Sequence, residues 1–254
     1  MAAGLWRAFG RRRPVAPRPS GPRGRGEDDE PPARETVQAR VAVERITPAG
    51  EALDALAAEA FSGAAGRARV APLLARFDEQ IGGLVPDDPD FALLQVARMD
   101  WALCDVPATP DAAPGDTWAW RALRGHEQVP LRAAAARSIV GLFEVYPGEP
   151  TWVRDRISGV VARLFDTVGP FGRVDDEGPS ALWELRLVPD AAGAFHVARA
   201  PIDYPLELLE TLEELEARRF EPQPWPALQD LRRARLRYLR AGKRTPISRM
   251  LRWR

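Results

Sequence analysis

Two histidines, one cysteine and 36 carboxylates among 254 residues carry whatever proton, metal or nucleophile chemistry the chain holds. Cys104 attacks a substrate only as a thiolate, yet it falls on the apolar side of the helix its neighbours predict, where a thiol behaves as a small hydrophobe. A single cysteine excludes an internal disulfide and a cysteine-based metal cluster. His126 adjoins Glu127, but no second histidine or cysteine stands at ligand spacing. Glu210 and Glu214 share a helical face that would hold a cation, although such pairs are common on solvent-facing helices. Glu184, His196 and Asp155 form an acid–base set only if a sheet brings them together. Phosphate-loop, dinucleotide-fingerprint, His-Glu-x-x-His and Gly-x-Ser-x-Gly patterns are absent. A non-enzymatic role with no cofactor and no metal is the expectation.

Charge is the stronger signal. The formal net charge is zero, from 36 basic and 36 acidic residues. Residues 1–26 hold seven arginines and no acid, and residues 232–254 hold nine arginines, Lys243 and no acid, so the ends carry +17 and the middle −17. Such segregation speaks to partners. The abundance of arginine over lysine says less, because alanine, proline and arginine together mark a GC-rich genome.

The elements that would position these residues follow from periodicity. Residues 1–33 read as a disordered basic tail, interrupted by prolines and glycines. Leu5, Trp6 and Phe9 beside Arg7 and Arg11 also fit an anchor on an acidic membrane or an organellar targeting segment. No apolar h-region follows, so secretion is disfavoured and a cytoplasmic location expected. Residues 34–137 form a helical region. Val70, Leu73, Leu74, Phe77, Ile81 and Leu84 predict a helix over 67–84, with Gly63 and Gly66 as a preceding turn. Asp87, Asp88 and Asp90 offer caps for a helix over 89–105. Trp118 and Trp120 flank an alanine in a helix over 117–125, more in the manner of core anchors than of a base-gripping pair.

Over 138–220 the period shortens. Runs at 139–145, 151–153, 160–165 and 183–197 predict five short strands in an antiparallel meander or small open barrel. Glu184, Arg186, His196 and Arg199 would occupy its wetter face, as solvated ion pairs or a ligand site. Asp203–Tyr204–Pro205 opens an acidic helix to about 218. Pro222, Pro224 and Pro226 make an extended connector within 221–254. A basic amphipathic helix follows over 227–241. The fold class is α+β: a helical N-terminal half, a small antiparallel sheet or open barrel, and C-terminal helices.

One stretch carries a family likeness. “RMDWALCDVP”, a loop ending in “TWAWRAL”, and “SIVGLFEVYPGEPTWVRDRISGVVARLFD” span residues 98–166. This order resembles the helix-plus-β module of poorly characterised bacterial proteins that often also carry a SEC-C zinc-binding motif. The resemblance implies a helix bearing Asp100–Trp101, a strand at Leu142–Val145 and a turn at Gly159. The cysteine-rich SEC-C segment is absent, so no metal site carries over.

The leading functional expectation is an interaction or adaptor subunit that docks through its C-terminal segment. Leu231, Tyr238 and Leu251 would be apolar anchors. Arg232, Arg233, Arg235, Arg237 and Arg240 would meet an acidic protein partner. The same surface suits nucleic acid or an anionic membrane, or a latch onto the acidic body of its own chain.

Overall fold

The computed structural model describes residues 47–113, 115–124, 129–146, 148, 150–165, 179–217 and 227–251, without the side chains of 215–217. The expected N-terminal tail, the proline connector and His126 lie outside these residues.

Helix α1 (Pro48–Phe61) starts where the Thr47 hydroxyl accepts the Gly50 amide at 3.0 Å, with Pro48 in the first turn, which needs no amide donor. Helix α2 (Gly63–Ile81) follows after Ser62 alone. The expected turn through Gly66 is therefore helical. Gly66 is instead a contact point: a Cβ there would collide with the Phe61 backbone. Gly82, at φ +89°, ends α2, and the amides of Gly82 and Gly83 satisfy the Glu79 and Asp78 carbonyls. Helix α3 (Phe91–Asp100) runs into a π-helical turn over Trp101–Asp105. Asp90 does not cap α3 with its side chain as expected. Its carboxylate is bonded elsewhere, as described below. Short helices α4 (Trp118–Leu123) and α5 (Pro130–Ala135) lead to the sheet.

The sheet comprises β1 (Ile139–Tyr146), β2 (Trp152–Asp155), β3 (Val161–Arg163), β4 (Ala181–Pro189), β5 (Phe195–Val197) and β6 (Ile202–Tyr204). Five strands run in the order β3-β2-β1-β4-β5, all antiparallel, and β6 also pairs with β4. A parallel bridge from Leu164 to Phe195 joins the two ends, so the sheet curls back on itself. Gly141 permits the curl’s tightest contact, since a Cβ would lie 2.5 Å from Asp155 Oδ1. Helix α6 (Glu207–Ala217) begins after β6. Residues 203–204, expected to open a helix, are a strand. Their side chains alternate between exposed and buried as a sheet requires. Helix α7 (Leu228–Arg240) and a 3-10 turn (Ile247–Met250) complete the chain.

Two apolar cores result. Phe143, Val145, Val153, Ala162, Leu164, Leu185 and Leu187 fill the inside of the curl. The larger core lies between the helices and the outer side of β1 and β4, where Leu142, Leu182 and Val188 meet Leu53, Phe77, Leu103 and Leu231. Among the described residues no helix is long and apolar enough to cross a membrane.

Candidate functional site

The C-terminal segment is bound to its own chain. Leu231 is fully buried and Leu251 nearly so, and Tyr238 packs against the same core. These three are not free anchors, and the self-latch is the arrangement found. The physical reason is that α7 has an apolar face fitted to α2 and arginines placed opposite acids of the body. Arg232 Nε donates to Glu184 Oε1 at 3.0 Å, with its guanidinium over the Phe77 ring. Arg235 donates to the Asp90 carboxylate at 2.6 Å and to the Asp203 carbonyl, and lies over Tyr204. Arg240 grips Asp88 through Nε and Nη2, both at 2.7 Å. Arg233 stands 3.7 Å from Asp230. Arg237 alone of the five has no ion pair among the described residues.

The expected wet face of the sheet is also enclosed. Glu184 and Arg186 project from the outer side of β4, under the helices, at 4% exposure each. An unpaired charge there would cost several kcal/mol, so each has a partner on a helix. Arg186 reaches Asp105 and, at 3.5 Å, Asp100. Asp100 also receives Arg199, which bridges to Asp54 at 2.7 Å. Burial pushes the Asp105 carboxyl up, partly opposed by Arg186. Burial favours loss of the Arg186 and Arg232 charges, but their carboxylates outweigh it and hold both protonated. Burial and then Glu184 push the Tyr204 phenol up.

No acid–base set forms from the residues suggested for one. Asp155 accepts from the amides of Leu142, Ile157 and Ser158 and shapes a turn. Glu184 is committed to Arg232 and Tyr204. His196, at the sheet rim, lies 3.8 Å from Asp190. Burial pushes the Cys104 thiol up to about 12, so it is no thiolate near neutrality. Glu210 and Glu214 are exposed. Among the described residues no three His, Cys, Asp or Glu side chains converge as metal ligands. Trp118 packs edge-on against Phe61 between Arg69 and Arg121, while Trp120 remains 38% exposed under Arg137.

Two open surfaces among the described residues carry cations. One is the turn after α7, where Gly242 and Lys243 both take positive φ and expose Lys243 and Arg244, followed by exposed Arg249. None of these three has an ion pair among the described residues. The other was not singled out in the sequence. It is the outer side of β2 and β3, over which no helix packs among the described residues: Trp152 opposite Arg163, and Arg154 opposite Val161. Trp152 is 42%, Val161 51% and Phe165 49% exposed. The signal was present in the Trp-Val-Arg-Asp and Val-Ala-Arg alternations, but alternation alone does not say which strands lack a helix.

No protein-family model, curated protein or solved structure matches the chain.

Proposed function

We propose that this protein is a non-enzymatic interaction subunit that meets an acidic protein partner through the cationic turn at its C-terminal end. The supporting observation is how the basic residues after position 231 divide. Arg232, Arg233, Arg235 and Arg240 face carboxylates of their own chain. Arg237, Lys243, Arg244 and Arg249 form no ion pair among the described residues, although Lys243 is near enough to act on the Asp203 carboxylate, and the last three are exposed. The mechanism is therefore division of labour: the inner arginines fix the segment, and the outer cations present charge. Fixing the backbone beforehand lowers the entropy lost on association. Rim charges of this kind mainly steer encounter and choose partners by sign, and their effect falls with salt.

The test compares the full chain with the K243E/R244E/R249E variant in affinity capture from the native cell and in binding to polyglutamate across a salt series. The expected result is salt-sensitive binding that the variant loses, with an unchanged melting temperature. Identical capture and polyglutamate binding by both proteins rejects the reading.

A further inference from the structure

A second surface, independent of that turn, has a different chemistry. Strand β2 directs Val153 inward and Trp152 and Arg154 outward. Strand β3 directs Ala162 inward and Val161 and Arg163 outward. Cross-strand pairing sets Trp152 opposite Arg163, and Arg154 opposite Val161. Arg154 and Arg163 are then diagonal neighbours, about 7–8 Å apart at the backbone. Beyond Arg163, Phe165 continues the outer row and meets the His196 ring at 5.0 Å, where the curl closes. The Phe165 amide donates to the Phe195 carbonyl at 2.8 Å, which pins this aromatic pair to the rim.

Three features of this face need an outside partner. Large rings stand in water on a rigid, paired sheet, where solvent exposure forgoes their burial. Neither Arg154 nor Arg163 has an ion pair among the described residues. The Arg154 Nε has no hydrogen-bond acceptor among the described residues, although Glu144 of β1 stands opposite it across the strand pair. By contrast, every buried arginine of α7 has a carboxylate within reach.

We infer that the outer face of β2 and β3, with Trp152, Arg154, Arg163, Phe165 and His196, binds single-stranded nucleic acid by stacking bases on its rings and pairing phosphates with its guanidinia. Exposed aromatic faces accept any unpaired base, and cations between them meet the backbone. The diagonal spacing lets each arginine take a different phosphate of one strand. A duplex fits poorly, because its bases are already stacked and the outer side of a curled sheet is too broad to read a groove. An acidic peptide would use the arginines and leave Trp152 and Phe165 in water. Partly open five-stranded barrels use a strand face in this way, but the residues, not the architecture, carry the assignment.

Fluorescence anisotropy with labelled oligothymidine tests it, using the full chain and, in parallel, a duplex of equal length and polyglutamate. The wild type binds oligothymidine at low salt and prefers it to both controls. W152A/F165A weakens binding at least about tenfold, the scale of one lost stacking contact, and W152F restores part of a W152A loss. R163Q lowers affinity and flattens the salt dependence by about one phosphate contact. Added to the K243E/R244E/R249E background, W152A/F165A causes the same fold-loss of oligothymidine binding, which separates this face from the C-terminal turn. Circular dichroism and melting temperature confirm that each variant is folded. Absence of wild-type binding to oligothymidine, equal binding of the duplex, polyglutamate binding that W152A/F165A weakens equally, or undiminished oligothymidine binding by a folded W152A/F165A variant overturns the inference.

Discussion

The outer sides of β1–β4 and of β2–β3 belong to one sheet, carry arginines and apolar residues alike, and have opposite fates. On β4, Glu184 and Arg186 lie beneath helices and are neutralised by Arg232, Asp100 and Asp105. On β2 and β3, Trp152, Arg154, Val161 and Arg163 have no helix above them among the described residues. The first region spends its charge on holding helices to the sheet, and the second keeps its charge for solvent or a ligand. A polar residue on a strand therefore does not mark an open face. What matters is whether a second element brings the counter-charge.

The sharpest way to break that contrast is to remove one arginine from each side. Arg232→Ala leaves Glu184 buried without its cation and lowers stability by about 3–5 kcal/mol, whereas Arg163→Ala on the open side changes it by roughly 0.5 kcal/mol or less. Chemical denaturation of the two variants measures both. Replacing the pair together, as E184L/R232L, recovers most of the loss, because two apolar groups there need no solvation. Equal effects of Arg232→Ala and Arg163→Ala would dissolve the distinction.

Next in size is the apolar side of α7. Leu231→Ala opens a cavity in the helix–sheet core and costs about 2–5 kcal/mol, while Trp152→Ala, whose side chain is only partly covered, costs less in the same urea titration. Thiol reactivity gives a third comparison. With its proton held by burial, Cys104 resists alkylation in the native protein at neutral pH and reacts promptly in denaturant. Fast native labelling would show that the helix–sheet core opens at the π-helical turn.

The smallest effect concerns acid. Hydrogen bonds from Arg240 chiefly, and from the Val85 amide, hold the Asp88 carboxyl below its ordinary range. A depressed folded value means that this contribution is complete above the unfolded carboxyl range and is lost as pH falls through the folded one. Arg240 is 37% exposed, which limits the pair to about 1 kcal/mol at most. Arg240→Gln should therefore lower stability slightly at neutral pH and make the acid limb shallower, as followed by stability measured from pH 7 downward.

Much of this architecture was legible along the chain. The apolar rows of α2 and α7 and the strand runs at 139–145 and 183–188 each declare themselves through local period, whereas the helix read over 67–84 ends earlier, at Gly82. Strand β6 did not, because three residues before a proline look equally like the start of a helix, and only pairing with β4 makes them a strand. The partner-facing assignment of Leu231, Arg232, Arg235 and Leu251 was the natural reading of a basic amphipathic helix, since amphipathicity states that a surface will be covered and not by what. The acids that receive Arg232, Arg235 and Arg240, namely Glu184, Asp90 and Asp88, lie 48 to 152 residues away.

The sequence by itself determined most of the element types, the segregation of charge and the absence of the familiar catalytic patterns, because these depend on neighbours within a few turns of chain. The tertiary structure alone decided which cations are neutralised, which strand faces are roofed and which rings stand in water. Those outcomes depend on distances between residues far apart in the chain, and Coulomb and hydrophobic energies act on distance in space.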